Sequence, residues 1–194
     1  AIEGKLAAVI CVEDPLREEA ADAVRELKEA GITKVVMMTG DSERTAAAIA
    51  KRVGVDEYYS EVLPEDKASF VEKEKELGHK VIMIGDGIND SLALSSASVG
   101  IAISDGAAIA REIADVTISA DNLHEIVTLK RLSTALMKRI HNNYRTIIGI
   151  NGGLIALGVT GIIMPTTSAL LHNMSTLTIS LRSMRNLLPK EEEA

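Results

Sequence analysis

Val81-Ile82-Met83-Ile84-Gly85-Asp86-Gly87-Ile88-Asn89-Asp90 carries most of the information about this chain's fold. Val81 to Ile84 is a short apolar run of the kind that forms a buried strand. It empties into a polar, glycine-containing loop placed just before a helical stretch. Glycines 85 and 87 let the backbone come close to a ligand. Asp86 and Asp90, four residues apart, can offer hard oxygen ligands to magnesium, which commonly needs only one or two carboxylates plus phosphate oxygens.

The same arrangement recurs upstream. Lys34 to Thr39 reads as a strand running into Thr39-Gly40-Asp41-Ser42, and Ala46, Ile49, Ala50 and Val53 mark the helical stripe that follows, ended by Gly54. A hydroxyl and free backbone N–H groups at a helix start make an anion cradle. A strand around Tyr58 to Val62 leads to Pro64, which opens a charged helix from Glu65 to Leu77 with Lys67 in its first turn and Gly78 as its stop. Lysine supplies a compact charge for a phosphoryl oxygen. Lys5 to Val12 is a further strand candidate. Asp14-Pro15 then caps a helix whose face is Leu16, Ala20, Ala23, Val24 and Leu27, with Gly31 ending it. Val99 to Ala102 and Val116 to Ile118 complete the strand set. Strand–helix alternation at this spacing means right-handed crossovers and a parallel sheet, whose ligands bind at the carboxyl ends of the strands. Each motif alone has an ordinary reading: Thr-Gly-Asp as a turn, Gly-Asp-Gly as a tight turn or loose calcium loop, Lys67 as a solvated lysine. In this order, at successive strand ends, they point to a phosphoryl and magnesium site.

The chain has 194 residues and a net charge of −7, with 46% hydrophobic and 25% charged residues, which is the balance of a folded protein. A net negative charge and only four aromatic residues (Tyr58, Tyr59, Phe70, Tyr144) argue against a nucleic-acid partner. The single cysteine, Cys11, excludes an internal disulfide or a paired-cysteine metal site, and its apolar setting makes it a core thiol. The average conceals two regions. Residues 1–125 carry 13 Lys and Arg against 25 Asp and Glu, a net of −12, whereas residues 126–194 carry 8 against 3, a net of +5. The three acids of the second region are the terminal run Glu191 to Glu193.

That second region divides into a basic linker helix (126–145), a hairpin (146–188) and an acidic tail (189–194). Thr146 to Met164 is 19 residues without a charge. As a helix it reaches about 28 Å, close to the roughly 30 Å bilayer core. Thr166 to Leu181 is shorter and more polar, and Met164-Pro165-Thr166-Thr167 reads as the turn between them. The expectation is a transmembrane hairpin. Lys130, Arg131, Lys138, Arg139 and Arg145 precede it and Arg182, Arg185 and Lys190 follow, which puts residues 1–145 and the C-terminus in the cytosol by the positive-inside rule. Asn151 in the first span and His172, Asn173, Met174, Ser175 and Thr176 in the second are polar or polarisable groups at membrane depth. Such groups face a pathway or a partner. Interhelical hydrogen bonding is the ordinary but less favoured reading for Asn151, Ser175 and Thr176. His172 is the better candidate for a transported cation, since imidazole suits zinc and its neighbours.

Thr39-Gly40-Asp41, Lys67 and Gly85-Asp86-Gly87-Ile88-Asn89-Asp90 together resemble the later signature motifs of the P-type ATPases, whose phosphorylation domain has a haloacid-dehalogenase-like α/β fold. Asp14-Pro15-Leu16-Arg17 is similar to the segment where such chains re-enter that domain. The resemblance covers essentially the whole chain. It implies that Thr39 holds the phosphoryl group of ATP with Gly40 and Asp41, that Lys67 contacts it, that Asp86 ligates magnesium, and that Asn89 and Asp90 complete the site. It also implies residues 1–125 to be the C-terminal part of the phosphorylation domain. A hairpin directly after that domain, with His172-Asn173-Met174-Ser175-Thr176 in its second helix, resembles the heavy-metal subgroup. The cation then lies among zinc, cadmium, cobalt and manganese. Imidazole without cysteine leans away from copper, although Met174 keeps it open.

The departures matter as much. The family's phosphorylated aspartate lies in an Asp-Lys-Thr-Gly-Thr motif, which does not occur in these residues. Asp14 is a poor substitute, because the following proline and helix suit an N-cap. The reading is therefore the C-terminal portion of a metal exporter, inactive without its upstream part. Two rivals stand beside it. One is a soluble haloacid-dehalogenase-like phosphatase, which lacks its nucleophile. The other is a non-catalytic membrane subunit with a phosphate- and magnesium-binding half-domain.

Overall fold

The computed structural model describes residues 16–85, 89–103, 112–118 and 122–187. The chain divides into two compact units, Ala1–Val127 and Thr128–Ala194.

In the first unit strands and helices alternate as the sequence pattern requires: α1 (Ala20–Glu29), β1 (Val36–Met38), α2 (Glu43–Val53), β2 (Glu57–Tyr59), α3 (Pro64–Glu76), β3 (Ile82–Gly85), α4 (Ser91–Ser96), β4 (Val99–Ile103) and β5 (Val116–Ile118). The strand expected over Lys5–Val12 and the cap at Asp14-Pro15 lie outside the described residues. Helices α2 and α3 are followed by Gly54 and Gly78, both at positive φ, where only glycine is unstrained. The strand pairs are all parallel, but among the described residues they form two pieces rather than one sheet: β1 beside β2, and β3–β4–β5 in that order.

Small side chains let the helices lie close to the strands. Ala46 and Ala50 bury the inner face of α2, while Val71 from α3, Ala93 and Leu94 from α4, and Ile101 and Ala102 from β4 form the core of the other piece. Gly100 permits that packing, since a Cβ there would stand 2.6 Å from the carbonyl oxygen of Leu94. The two pieces also meet through side chains: Tyr59 and Phe70 stack tilted, ring centres 5.1 Å apart, so the exit of β2 is tied to α3.

One boundary differs from expectation. The strand expected over Tyr58 to Val62 ends at Tyr59, because Glu61 takes a left-handed conformation at φ +54°. The turn is held by two backbone hydrogen bonds, Glu61 N–H to the Asp41 carbonyl (2.9 Å) and Val62 N–H to the Thr39 carbonyl (3.0 Å).

The second unit is a pair of helices. The basic linker and the first uncharged stretch are one continuous helix, α5 (His124–Val159, 36 residues), with no break at Arg145. A turn containing Gly161 leads to α6 (Pro165–Ser183). The hairpin is present; among the described residues no helix is long and apolar enough to cross a membrane. The reason lies in where the helices stop and what they carry. Helix α5 ends at Val159, before the apolar run is complete at Met164, and α6 carries His172, Asn173 and several hydroxyl residues along its length.

Candidate active site

The loops after β1 and β3 carry the predicted phosphoryl residues. After β1, the Thr39 N–H donates to the Tyr59 carbonyl at 3.0 Å, extending the β1–β2 pairing to the edge of the loop. The Thr39 hydroxyl donates to Asp41 Oδ2 (3.0 Å) and accepts from the Asp41 N–H (3.1 Å), which closes a small polar ring around Gly40. Ser42 is the N-cap of α2, yet its side chain makes no capping bond. The first N–H groups of that helix are thus not capped by Ser42, which suits an anion cradle. Glu43 in the same turn accepts from the Ser60 hydroxyl (2.6 Å) and the Tyr58 hydroxyl (2.8 Å). Those two donors, Ser60 first, hold its carboxyl below the usual value, and Tyr58 is raised in return.

Lys67 and Asp90 come together across 23 residues of sequence. The Lys67 ammonium donates to Asp90 Oδ1 at 2.7 Å, and both side chains are largely buried, 14% and 12% exposed. Each partner is positioned by its own helix. Pro64 opens α3, the Asp66 carboxylate accepts from the Leu63 N–H at 3.2 Å, and Lys67 follows in the first turn. Asp90 stands at the N-cap position of α4, its carbonyl accepting from the Leu94 N–H. Gly85 at the end of β3 makes room for the pair: a Cβ there would lie 2.7 Å from Asp90 Cβ and 2.8 Å from its Cγ. Asn89 is exposed at the mouth of the same loop. Asp86 and Gly87 lie outside the described residues. Among the described residues no hydrogen bond joins the Thr39–Asp41 ring to the Lys67–Asp90 pair.

A phosphoryl group carrying magnesium has a chemical fit here. Asp90 is the only buried charged residue among those described, and a buried carboxylate needs a cation. Lys67 supplies one. No cluster of three or more metal-ligating side chains occurs among the described residues.

In the hairpin, Asn151 Oδ1 and His172 Nδ1 are 2.8 Å apart. Amide oxygen only accepts, so Nδ1 carries a proton, and in the neutral imidazole the lone pair is then on Nε2. Both residues line a cavity of about 640 Å³, together with Leu154, Ile155, Gly158 and Asn173. Ser175 and Thr176 turn their hydroxyls back onto the His172 carbonyl, at 2.7 and 3.0 Å. The structure thus gathers Asn151, His172 and Asn173, and leaves Met174 and Ser175 outside the cavity lining.

A family model of haloacid dehalogenase-like hydrolases matches residues 1–98. The chain belongs to this family. Over most of its length it is also homologous to heavy-metal P-type ATPases. It is 37% identical over 186 residues to the zinc-exporting P-type ATPase of Mycobacterium marinum, covering 95% of this chain and 25% of that protein. It is 44% identical over 171 residues to copper-transporting ATPase 2 of Rhizobium meliloti, covering 88% and 20%. The crystal structure of a zinc-transporting PIB-type ATPase in the E2.Pi state superposes with a TM-score of 0.82 at 33% identity, covering 91% of this chain and 29% of that one. The chain thus spans about a quarter of the length of the curated relatives it matches.

Within this haloacid dehalogenase-like hydrolase, the contacts that support the candidate residues are what sequence reasoning missed. Glu61, Tyr58 and Ser60 fix the Thr39 loop, and only Glu61's place after a short strand and before Pro64 hints at a turn. The pairing of Lys67 with Asp90 left no signal in the spacing, since 23 residues and a whole strand separate them.

Proposed function

We propose that this chain is the C-terminal part of an ATP-driven heavy-metal exporter of the P-type class: the later portion of its phosphorylation domain followed by its last two helices. The observation that carries the reading is the Lys67–Asp90 ion pair, held at a strand end under a glycine that leaves no room for a side chain. Buried ion pairs without a ligand role gain little over apolar packing, so a charged pair kept at a ligand-binding edge is best explained by the ligand. Thr39, with Gly40 and Asp41, grips the phosphoryl group of ATP by hydroxyl and backbone N–H. Lys67, aimed by Asp90, neutralises a second phosphoryl oxygen. Asp86 and Asp90 hold magnesium, and Asn89 borders the loop. Bound magnesium would offset charge developing on the transferring phosphoryl group. The aspartate that accepts the phosphoryl group belongs to the upstream part of the transporter, and the present residues alone are inactive. The rival readings, a phosphatase and a non-catalytic subunit, have no observation of their own in their favour.

The cargo is a divalent heavy-metal cation: zinc, cadmium, cobalt or manganese, with copper less suited. Support comes from the His172–Asn151 bond, which fixes the imidazole tautomer and leaves Nε2 free as a metal ligand beside Asn173. A bilayer setting for the hairpin is supported by its surface. Ile148, Ile155, Leu170, Leu177 and Leu181 all stand exposed, and the uncharged stretch continues past the end of α5 through Met164. Residues 1–145 and the C-terminus then lie in the cytosol.

The test uses the complete transporter. Asp86→Asn should nearly abolish the acid-stable phosphoenzyme formed from γ-labelled ATP at limiting magnesium. Wild-type labelling in that variant would refute the assignment.

A further inference from the structure

At the end of the hairpin away from its turn, α5 and the C-terminal end of α6 line an open cavity of about 410 Å³, within the ~300–1,000 Å³ typical of small-ligand sites. Its lining includes Lys138, Arg139, Arg182 and Arg185, with Asn142 and Asn143 between them. From Ile126 to Lys190 the sequence contains no acidic residue, so none of these cations has a carboxylate partner within the hairpin.

Part of the wall is rigidly built. The Arg139 guanidinium donates to the carbonyls of Ser183 (2.9 Å) and Asn186 (2.9 Å), and also to that of Arg185. Asn143 donates from Nδ2 to the Ser183 hydroxyl at 2.7 Å. A helix C-terminus ordinarily repels anions, because its last carbonyls carry partial negative charge. Here Arg139 covers those carbonyls and cancels that repulsion. Lys138, Arg182 and Arg185 remain, with no hydrogen bond or ion pair of their own among the described residues. Like charges gathered around one cavity repel unless an anion enters, and guanidinium forks match the oxygens of phosphate.

We propose that this cavity binds a phosphate-type oxyanion, either the headgroup of an anionic lipid or a free phosphate. The cavity stands whether or not the hairpin enters a bilayer; only the lipid source rests on that reading. The alternative is that these cations merely flank an apolar segment and orient it, which makes them equivalent to Lys130 and Arg145 outside the cavity.

The two accounts separate by calorimetry on the full chain in maltoside micelles, titrated with inorganic phosphate, dihexanoyl phosphatidylglycerol or the zwitterionic choline analogue. Saturable binding is expected for at least one anionic probe and not for the choline lipid. Lys138→Gln/Arg182→Gln should weaken it about 25-fold, at roughly fivefold per charge removed. Lys130→Gln/Arg145→Gln should weaken it less than about twofold, with circular dichroism matching the wild type. Binding of the phosphatidylglycerol alone assigns the lipid source, and equal binding of inorganic phosphate assigns the free anion. Absence of saturable binding, or equal weakening by both pairs, overturns the proposal. If the cavity pair fails to fold, Lys138→Arg, which keeps the charge, should bind as wild type while Arg185→Gln loses about fivefold. Resistance of the hairpin to alkaline extraction from membranes tests the bilayer reading separately.

Discussion

The two units solve opposite problems. In the first, the net charge is acidic, a core of mostly small apolar residues is buried, and the one buried carboxylate among the described residues is paired with a lysine. In the second, Leu154 is the only buried hydrophobic residue described between Thr128 and Leu187, and every charge from Thr128 to Leu187 is basic. The first unit carries its own core, so its surface is free to hold a polar ligand. The second has almost no core among its described residues and exposes many large apolar side chains.

The sharpest way to break this contrast is at the ion pair. In the complete transporter Lys67→Ala should lower phosphoenzyme formation by about a hundredfold or more, the usual cost of removing one preorganised donor from a developing charge. Phosphorylation within a few-fold of wild type would reduce the pair to a structural contact. At the other region, His172→Ala should abolish or re-rank stimulation of ATP hydrolysis across zinc, cadmium, cobalt, manganese and copper while leaving the melting temperature near wild type. A lowered melting temperature with the ranking intact would make the Asn151–His172 bond purely interhelical.

Packing gives the next contrast. Leu94, 1% exposed, should cost about 3 kcal/mol when truncated to Ala, whereas Leu177, 61% exposed, should cost less than about 0.5 kcal/mol in detergent. Denaturant unfolding of the two variants checks this, and equal losses would mean that the hairpin has a tighter core than its exposure indicates. The smallest effect belongs to Asp56. It accepts from the Lys28 ammonium (2.7 Å) and the Val35 N–H (2.7 Å), which lower its folded-state pKa, Lys28 contributing most. A depressed carboxylate stabilises above its unfolded value, near 3.9, and loses that contribution as pH falls through the folded value. Asp56→Asn should therefore be slightly less stable than wild type at neutral pH, with the difference closing below about pH 4. A gap independent of pH would refute the role.

The alternation of strands and helices was legible because it rests on local rules. Apolar runs of strand length, Pro64 at a helix start and glycines just past helix ends each act within a few residues. Thr39, Lys67 and Asp90 were legible as candidates for a site for a related reason: strand-end loops are where backbone N–H groups and polar side chains are free to meet a ligand. The exit of β2 was read too long, because a non-glycine residue at positive φ leaves no mark in composition. Its cause is the pair of backbone bonds that Glu61 and Val62 make to the Asp41 and Thr39 carbonyls. The hairpin's helix ends were misjudged since an apolar run does not say where a helix stops.

What the sequence by itself determined, then, is the order of elements, the division into an acidic and a basic region, and the identity of the polar residues at the strand ends. Each follows from interactions between neighbours in the chain. Only the tertiary structure decided that Lys67 meets Asp90, that Gly85 must stay bare beside them, that Asn151 sets the tautomer of His172, and that Arg139 closes the end of α6. Those contacts join residues from different elements, so they exist only once packing has fixed where each side chain's partner stands.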